Sequence, residues 1–354
     1  MKKIITAFLL AITVPCMAQT DVRSFFPGAN EGVTYALPDT KINIRVKVRC
    51  ITQTPGEFYS YAERYLHIKD AISQASSQWE LIGIETENEG IPCKEKAFTI
   101  KLNNSSASNL KLNDKGIIEA INTTVPEKVS GKEETTYQKS NSSTDVSKHM
   151  TEEMLKATST AKMAELAAKE IFAARESKRA ITRGVSENMP GDGAAMAIMI
   201  QELDTQETAL LEMFKGKSDT LYYSYDYELV PDIECDITKA ILFRFSRKLG
   251  VLDKENLAGE PVYYSMKNLR TVEQPTNDIV DKKKSAKKEG ICYNIPGRAK
   301  LEIYTRARTY VEKEIAIAQL GITEVLSKTL FNKNNTTKVL FDTATGAIIS
   351  IKRD

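Results

Sequence analysis

Three groups of side chains in this sequence have a spacing that could do chemistry. Asp232, Glu234 and Asp236 lie two residues apart, so an extended Pro231–Ile237 would present them on one face, with Asp226 and Glu228 just before. Clustered carboxylates can bind calcium or divide acid and base roles in glycan hydrolysis. The spacing is not that of a calcium loop, and a charged strand face is the plainer reading. Tyr223, Tyr225 and Tyr227 would project from one strand face, Tyr222 from the other, and Tyr263-Tyr264 follow later. Flat amphipathic rings hold sugars or peptides at low entropic cost; packing in the core or across strands is the plainer account. Lys41, Arg45, Lys47 and Arg49, with Asn43, alternate with Ile42, Ile44, Val46, Val48 and Cys50. That row could grip an anionic ligand, but cations on the wet side of a half-buried strand also discourage edge-to-edge pairing.

Other chemistries lack their residues. Past the start of the chain the histidines are His67 and His149, neither with a second His at ligand spacing, so a His-Glu-x-x-His metal site is absent. There is no Gly-x-Ser-x-Gly elbow. Gly216-Lys217-Ser218 ends like a phosphate loop, but Leu211 stands where the first glycine is required. No Gly-x-Gly-x-x-Gly follows a strand, so no dinucleotide is expected, and no metal or other cofactor either.

Composition narrows the class further. Two of the 49 cationic residues, Lys2 and Lys3, precede the apolar run Ile4–Val14, leaving the rest balanced against 47 acids. A balanced chain lacks the cationic excess of a general nucleic-acid binder. A mean hydropathy of −0.33 with 27% charged residues excludes a multispan membrane protein, and 42% hydrophobic residues exclude wholesale disorder. The run Ile4–Val14 is too short to span a bilayer and reads as an export signal cleaved after Ala18, giving a mature start at Gln19. Lipidation at Cys16 is the alternative, although Pro15 precedes that cysteine. Cys50, Cys93, Cys235 and Cys292 then remain, enough for two disulfides in an oxidising compartment, with Cys50–Cys93 and Cys235–Cys292 as the local pairing; four free thiols are the alternative.

The elements that would position these groups follow from periodicity. Lys41–Cys50 is a strand ended by Pro55-Gly56; Phe58–Ala71 has helical spacing; Trp79–Glu85 and Ala97–Asn103 read as strands, and Leu110–Ile121 as a hairpin turning at Asp114-Lys115-Gly116. Thr123–Asp145 is almost without apolar residues. Met150, Met154, Ala157, Ala161, Ala164, Ala168 and Ile171 then predict a helix over about Ser147–Ile181, about 50 Å long at 1.5 Å per residue. Asp192 caps a second helix with the seam Met196, Met199, Leu203, Gln206, Leu210 and Met213, stopped at Gly216. Each seam is best covered by the other helix; a second molecule, giving a homo-oligomer through the hairpin, is the sharper alternative. Leu221–Val230, Ala240–Ser246, Val262–Met266 and Leu301–Ile303 are strands, Arg270–Gly290 with its Lys282–Lys284 and Lys287-Lys288 is a polar loop, and Tyr310–Leu330 is open between helix and strand. The end, Lys338–Lys352, is a hairpin with Gly346 in its turn, loosely echoing Leu112–Asn122.

The expected organisation is α+β: two β-rich, sandwich-like regions separated by a long antiparallel helical hairpin. The boundaries are 1–18 signal, 19–122 N-terminal β-rich domain, 123–146 polar linker, 147–217 helical hairpin and 218–354 C-terminal β-rich domain.

Several stretches carry a family resemblance: Gly32-Val-Thr-Tyr-Ala-Leu-Pro38, Pro55-Gly-Glu-Phe-Tyr-Ser-Tyr-Ala-Glu-Arg-Tyr-Leu66, Glu170-Ile-Phe-Ala-Ala-Arg-Glu-Ser177, Gln201-Glu-Leu-Asp204 with Phe214-Lys-Gly216, Ile295-Pro-Gly297 with Ala318-Gln-Leu-Gly321, and Phe341-Asp-Thr-Ala-Thr-Gly346. They resemble an uncharacterised exported family of Bacteroidetes bacteria, domain of unknown function 4831. The resemblance covers nearly all the mature chain. It implies an exported envelope protein with β-rich regions around a helical segment, supplies no activity or catalytic residue, and tilts Tyr310–Leu330 towards β structure. The expected function is a non-enzymatic one, binding an envelope protein or glycan from the periplasm or cell surface without spanning the membrane. The alternatives are a carboxylate-dependent glycan or peptidoglycan hydrolase using Asp232, Glu234 and Asp236, and a carbohydrate-binding module using Tyr223, Tyr225 and Tyr227.

Overall fold

Strict two-residue alternation builds the longest elements. The computed structural model describes residues 33–100, 109–125, 146–185, 191–233, 236–273, 290–327, 330–331 and 337–353. The expected export signal, Cys16, most of the polar linker, Glu234, Cys235 and the Lys282–Lys288 run lie outside the described residues. Sheets dominate the structure, with helices as the lesser part.

Strand β1 (Val33–Thr54) buries Ile42, Ile44, Val46 and Val48 completely and pairs antiparallel with β2 (Ser76–Ile100) on one side and β5 (Lys217–Leu229) on the other. It is therefore a central strand, and its cations do not guard an edge. The expected strand Trp79–Glu85 and the start of the one expected over Ala97–Asn103 are parts of the single long β2; residues 101–103 lie outside the described residues. An edge position lets β2 carry Gly83, Gly90 and Pro92 without losing ladder bonds to a second neighbour.

The second sheet has the order β10 (Thr309–Ser327), β9 (Gly290–Tyr304), β8 (Glu260–Asn268), β6 (Ile237–Ser246) and β7 (Gly250–Leu252). The open segment Tyr310–Leu330 is thus a strand as far as Ser327, as its β-branched residues favour. The two sheets face each other across one core, in which β1 and β2 side chains meet Phe243, Val262, Met266, Leu301, Ile303, Ile315 and Ile317. β2 runs across the second sheet. At one end the Trp79 amide donates to the Arg247 carbonyl (2.8 Å), beside β7; further along, Asn88 donates to the Ala316 carbonyl of β10 (3.4 Å).

A third sheet, ordered β12 (Ile348–Arg353), β11 (Thr337–Phe341), β4 (Ile118–Ile121) and β3 (Leu110–Leu112), packs on the outer ends of the long strands. There Tyr35, Leu37, Ile118, Ile121, Ile291, Leu326, Val339 and Phe341 make a second core. The first sheet takes β5, and the third takes β11 and β12, from beyond the helical segment, so strands from both β-rich stretches share two of the three sheets.

Two parts of the chain repeat each other. Gly32-Val-Thr-Tyr-Ala-Leu-Pro38 has its counterpart in Gly290-Ile-Cys-Tyr-Asn-Ile-Pro296. Each opens a long antiparallel hairpin, β1–β2 or β9–β10, followed by a short one, β3–β4 or β11–β12. Each long hairpin starts in the second core, passes into the first and returns. The matching contacts recur as well. Ala36 N donates to Gly116 O and Asn294 N to Gly346 O, both at 3.0 Å, and the two turn glycines have φ of 77° and 74°, where an L side chain would be strained. The echo between the two hairpins is one end of a longer internal repeat.

The helical segment is shorter-jointed than its periodicity predicts. In place of one helix over Ser147–Ile181 there are a 3-10 turn at Val146–His149, α2 (Glu152–Leu155) and α3 (Thr160–Thr182). Ala157-Thr158-Ser159 breaks the run because Ser159 caps α3 instead of continuing it, its Oγ accepting from Lys162 N at 3.3 Å. α4 (Gly193–Lys215) starts where expected, with Asp192 Oδ1 accepting from Ala195 N at 2.6 Å, and ends at Gly216. The helix expected over Phe58–Ala71 contracts to a 3-10 turn (Tyr59–Tyr61) and α1 (Ala62–Leu66), stopped by His67 in the left-handed region at φ 57°.

Candidate functional site

Each constellation singled out above is absorbed by its neighbours to a different degree. The cations of β1 face acids on both flanking strands: Lys41 meets Glu89 and Glu228, Arg45 meets Asp226 (2.8 Å), Lys47 meets Glu85 (2.7 Å) and Arg49 meets Glu80 (2.6 Å). Lys115, Asn43 and Lys41 hold Glu89 well below the usual carboxylate range, at about 2. Such a lattice is neutralised within the sheet and offers no net charge for gripping an anion.

Tyr223, Tyr225 and Tyr227 point towards the first core and are half-buried against it. The Tyr227 ring stacks on Phe243 at 5.4 Å between centroids, and Tyr223 lies 5.0 Å from Trp79. Burial pushes the Tyr227 phenol up to about 12, with Asp253 adding to the effect. Tyr222, on the opposite face, is 42% exposed.

Of the carboxylates, Asp232 is exposed and accepts from its neighbour Ile233 N (2.7 Å). Asp236 is exposed, accepts from Asn268 N (2.9 Å) and lies 3.6 Å from Arg270. Arg270, Asn268, Val272, Glu273 and Leu320 line an open groove of about 430 Å³. His67 is exposed and His149 half-buried, on separate elements. Among the described residues no group of three or more His, Cys, Asp or Glu side chains could hold a metal ion.

Cys50 and Cys93 are free thiols, which corrects the Cys50–Cys93 pairing. β1–β2 register puts Cys50 opposite Trp79, more than a dozen residues along β2 from Cys93, far beyond disulfide reach. Cys50 Sγ lies 3.3 Å from Ser77 Oγ instead. The Cys235–Cys292 pairing falls on a residue outside the described ones.

The stretches that carry the family resemblance converge at two places. The first is the junction between the two cores, where the strand register shifts beside Pro38 in β1 and Pro296 in β9. Thr40, fully buried, donates through Oγ1 to Ala344 O (3.0 Å) and accepts from Ala318 N (3.0 Å). Its backbone exchanges two bonds of 2.9 Å with the Gln319 amide. Asn294, 1% exposed, donates to Pro38 O and Thr345 O and accepts from Thr323 Oγ1. A buried polar set this fully paired rigidifies a joint; it leaves no donor over for a substrate. None of these polar residues stood out by composition, and the repeated Tyr-x-x-Pro of Tyr35–Pro38 and Tyr293–Pro296 is the signal that points to them.

The second place is the root of the helices. Phe58 packs on Phe214 at 5.4 Å, its N–H donates to Met213 O (2.7 Å), and a Cβ on Gly56 would sit 2.3 Å from that same carbonyl. Ala62, Met154, Ala164, Ala167, Ala168, Ile171 and Leu210 complete this third cluster. Higher up, Gln206 donates to Glu170 (3.0 Å), Arg175 to Glu207 (2.7 Å) and Lys178 to Asp204 (2.6 Å) and Glu207, so α3 and α4 lie side by side and antiparallel. Burial alone would raise the Glu207 carboxyl, yet Lys178 and Arg175 outweigh it and hold it below its ordinary range.

The family described as Domain of unknown function (DUF4831) matches residues 31–349, nearly the whole chain. The chain belongs to that family. No curated protein and no solved structure matches it. Among the described residues no helix is long and apolar enough to cross a membrane.

Proposed function

We propose that this DUF4831 protein is an exported envelope component without catalytic activity, in which the β-sheets form a rigid base and the α3–α4 pair is a helical hairpin acting as a docking arm. The observation that carries this reading is the fate of the chemically suggestive side chains. The cation row is ion-paired, the tyrosine row is packed and Asp232 and Asp236 fan outwards. Among the described residues, the apolar far half of α4 stays exposed through Ile198 and Met199. In this reading residues 1–18 are the cleaved signal and the mature chain works in the periplasm or at the cell surface, on a protein or glycan of the envelope.

Affinity capture from native envelope with the mature chain, compared with the same chain carrying Ile198→Asp, tests the reading. The partner should be recovered by the first and lost by the second. Turnover of an envelope glycan by the purified protein, abolished by Asp236→Asn, would overturn it.

A further inference from the structure

We propose that the far half of α4 is the docking surface for a second copy of this chain, arm against arm about a two-fold axis; this rests on the reading of the helices as a docking arm. Ala194-Ala-Met-Ala-Ile-Met-Ile200 has no polar side chain, so the first two turns of α4 turn no polar face to water. A helix apolar on every side needs neighbours on every side. α3 covers one side, where Ile181 is buried and Met196 and Ile200 half-buried. Ile198 stays 61% exposed and Met199 37%, beside exposed Ala194 and Ala197, and Val185, just past the end of α3, is 71% exposed. An exposed run of this kind is costly unless something covers it.

Charge selects the occupant. Arg179 and Asp204 are paired within the chain, with Glu176 and Lys178, but exposed Arg183 follows directly on α3 and exposed Glu202 stands on α4 just past the apolar run. A two-fold axis sets α3 of one copy against α4 of the other, so Arg183 of each meets Glu202 of its mate. That is the self-complementarity an isologous contact requires. Two helical pairs joined in this way close a four-helix bundle, which buries faces that a lone pair leaves wet. An anionic lipid surface would call for cationic excess around the apolar patch, and here acids match the cations.

Sedimentation of the mature chain over a wide concentration range should show a monomer–dimer equilibrium. Ile198→Asp should weaken the dimer by about tenfold or more while the melting temperature at concentrations where both chains are monomeric holds, because the side chain is exposed in the monomer. Arg183→Glu and Glu202→Arg should each weaken the dimer, and the two together should restore it. A wild-type chain that stays monomeric to its solubility limit overturns the proposal, as does a dimer that Ile198→Asp leaves intact or a charge swap without rescue. The underlying reading fails separately. A monomer that still loses its envelope partner, or anionic vesicles, on Ile198→Asp would keep the docking arm and remove the second copy.

Discussion

At the scale of single residues, Tyr35 is tied into the molecule by one atom. Its hydroxyl donates to Cys292 O (3.1 Å) and accepts from Cys292 N (2.7 Å) inside the second core. Burial pushes the phenol far above its ordinary range, so it remains protonated and keeps the donated bond. Tyr35→Phe strands both backbone groups and should cost about 1–3 kcal/mol, read as a lower urea midpoint with an unchanged m-value. Glu89 sets a pH dependence. Its folded pKa lies below its ordinary 4.5, at about 2, so its contribution is complete above pH 5 and is lost as pH falls towards 2. Glu89→Gln should therefore flatten part of the acid limb of a stability–pH curve, and an unaltered limb would show that the pair is screened by solvent. These partners were not legible in the sequence. The alternation at Lys41–Arg49 identified a charged face, but only strand register brings Glu80, Glu85, Asp226 and Glu228 alongside it.

At the scale of elements, the alanines predicted as a seam do lie between helices of one chain at Ala164 and Ala168, which are buried, while Ala161 is half-buried. Ala164→Leu should overpack this contact and destabilise by about 1–3 kcal/mol, measured by thermal unfolding of the purified chain. Ser159→Ala should cost about 1 kcal/mol through loss of the α3 cap. Boundaries were the weakest part of the reading. A continuous apolar period spans Met154 to Ile171, yet the hydroxyl of Ser159 competes for the helix backbone and splits it. His67 likewise ends α1 early by taking a left-handed conformation, which its residue type does not announce.

At the scale of the whole molecule, the two cores are coupled because β1, β9 and β10 run through both. The turn Asp342–Gly346 sits in the joint, with Thr345 Oγ1 held by Asp342 Oδ2 (2.6 Å) and Thr345 O held by Asn294. Deleting residues 342–354 should then lower the unfolding midpoint reported by Trp79 fluorescence, although that single tryptophan belongs to the other core. An unchanged midpoint would mean that the cores unfold independently.

The amino-acid sequence by itself determined the strands with strict alternation, the capped start of α4, both glycine turns and membership in the DUF4831 family. The strands, the cap and the turns are local: each depends on which side chains recur at a period of two or 3.6, or on a turn that needs a particular residue. Tertiary structure alone decided that β1 is central, that β5 returns to it across the helical segment, and that the tyrosines and cations are occupied. Pairing over such separations is chosen by burial and register summed across whole sheets, and no spacing within one segment encodes it.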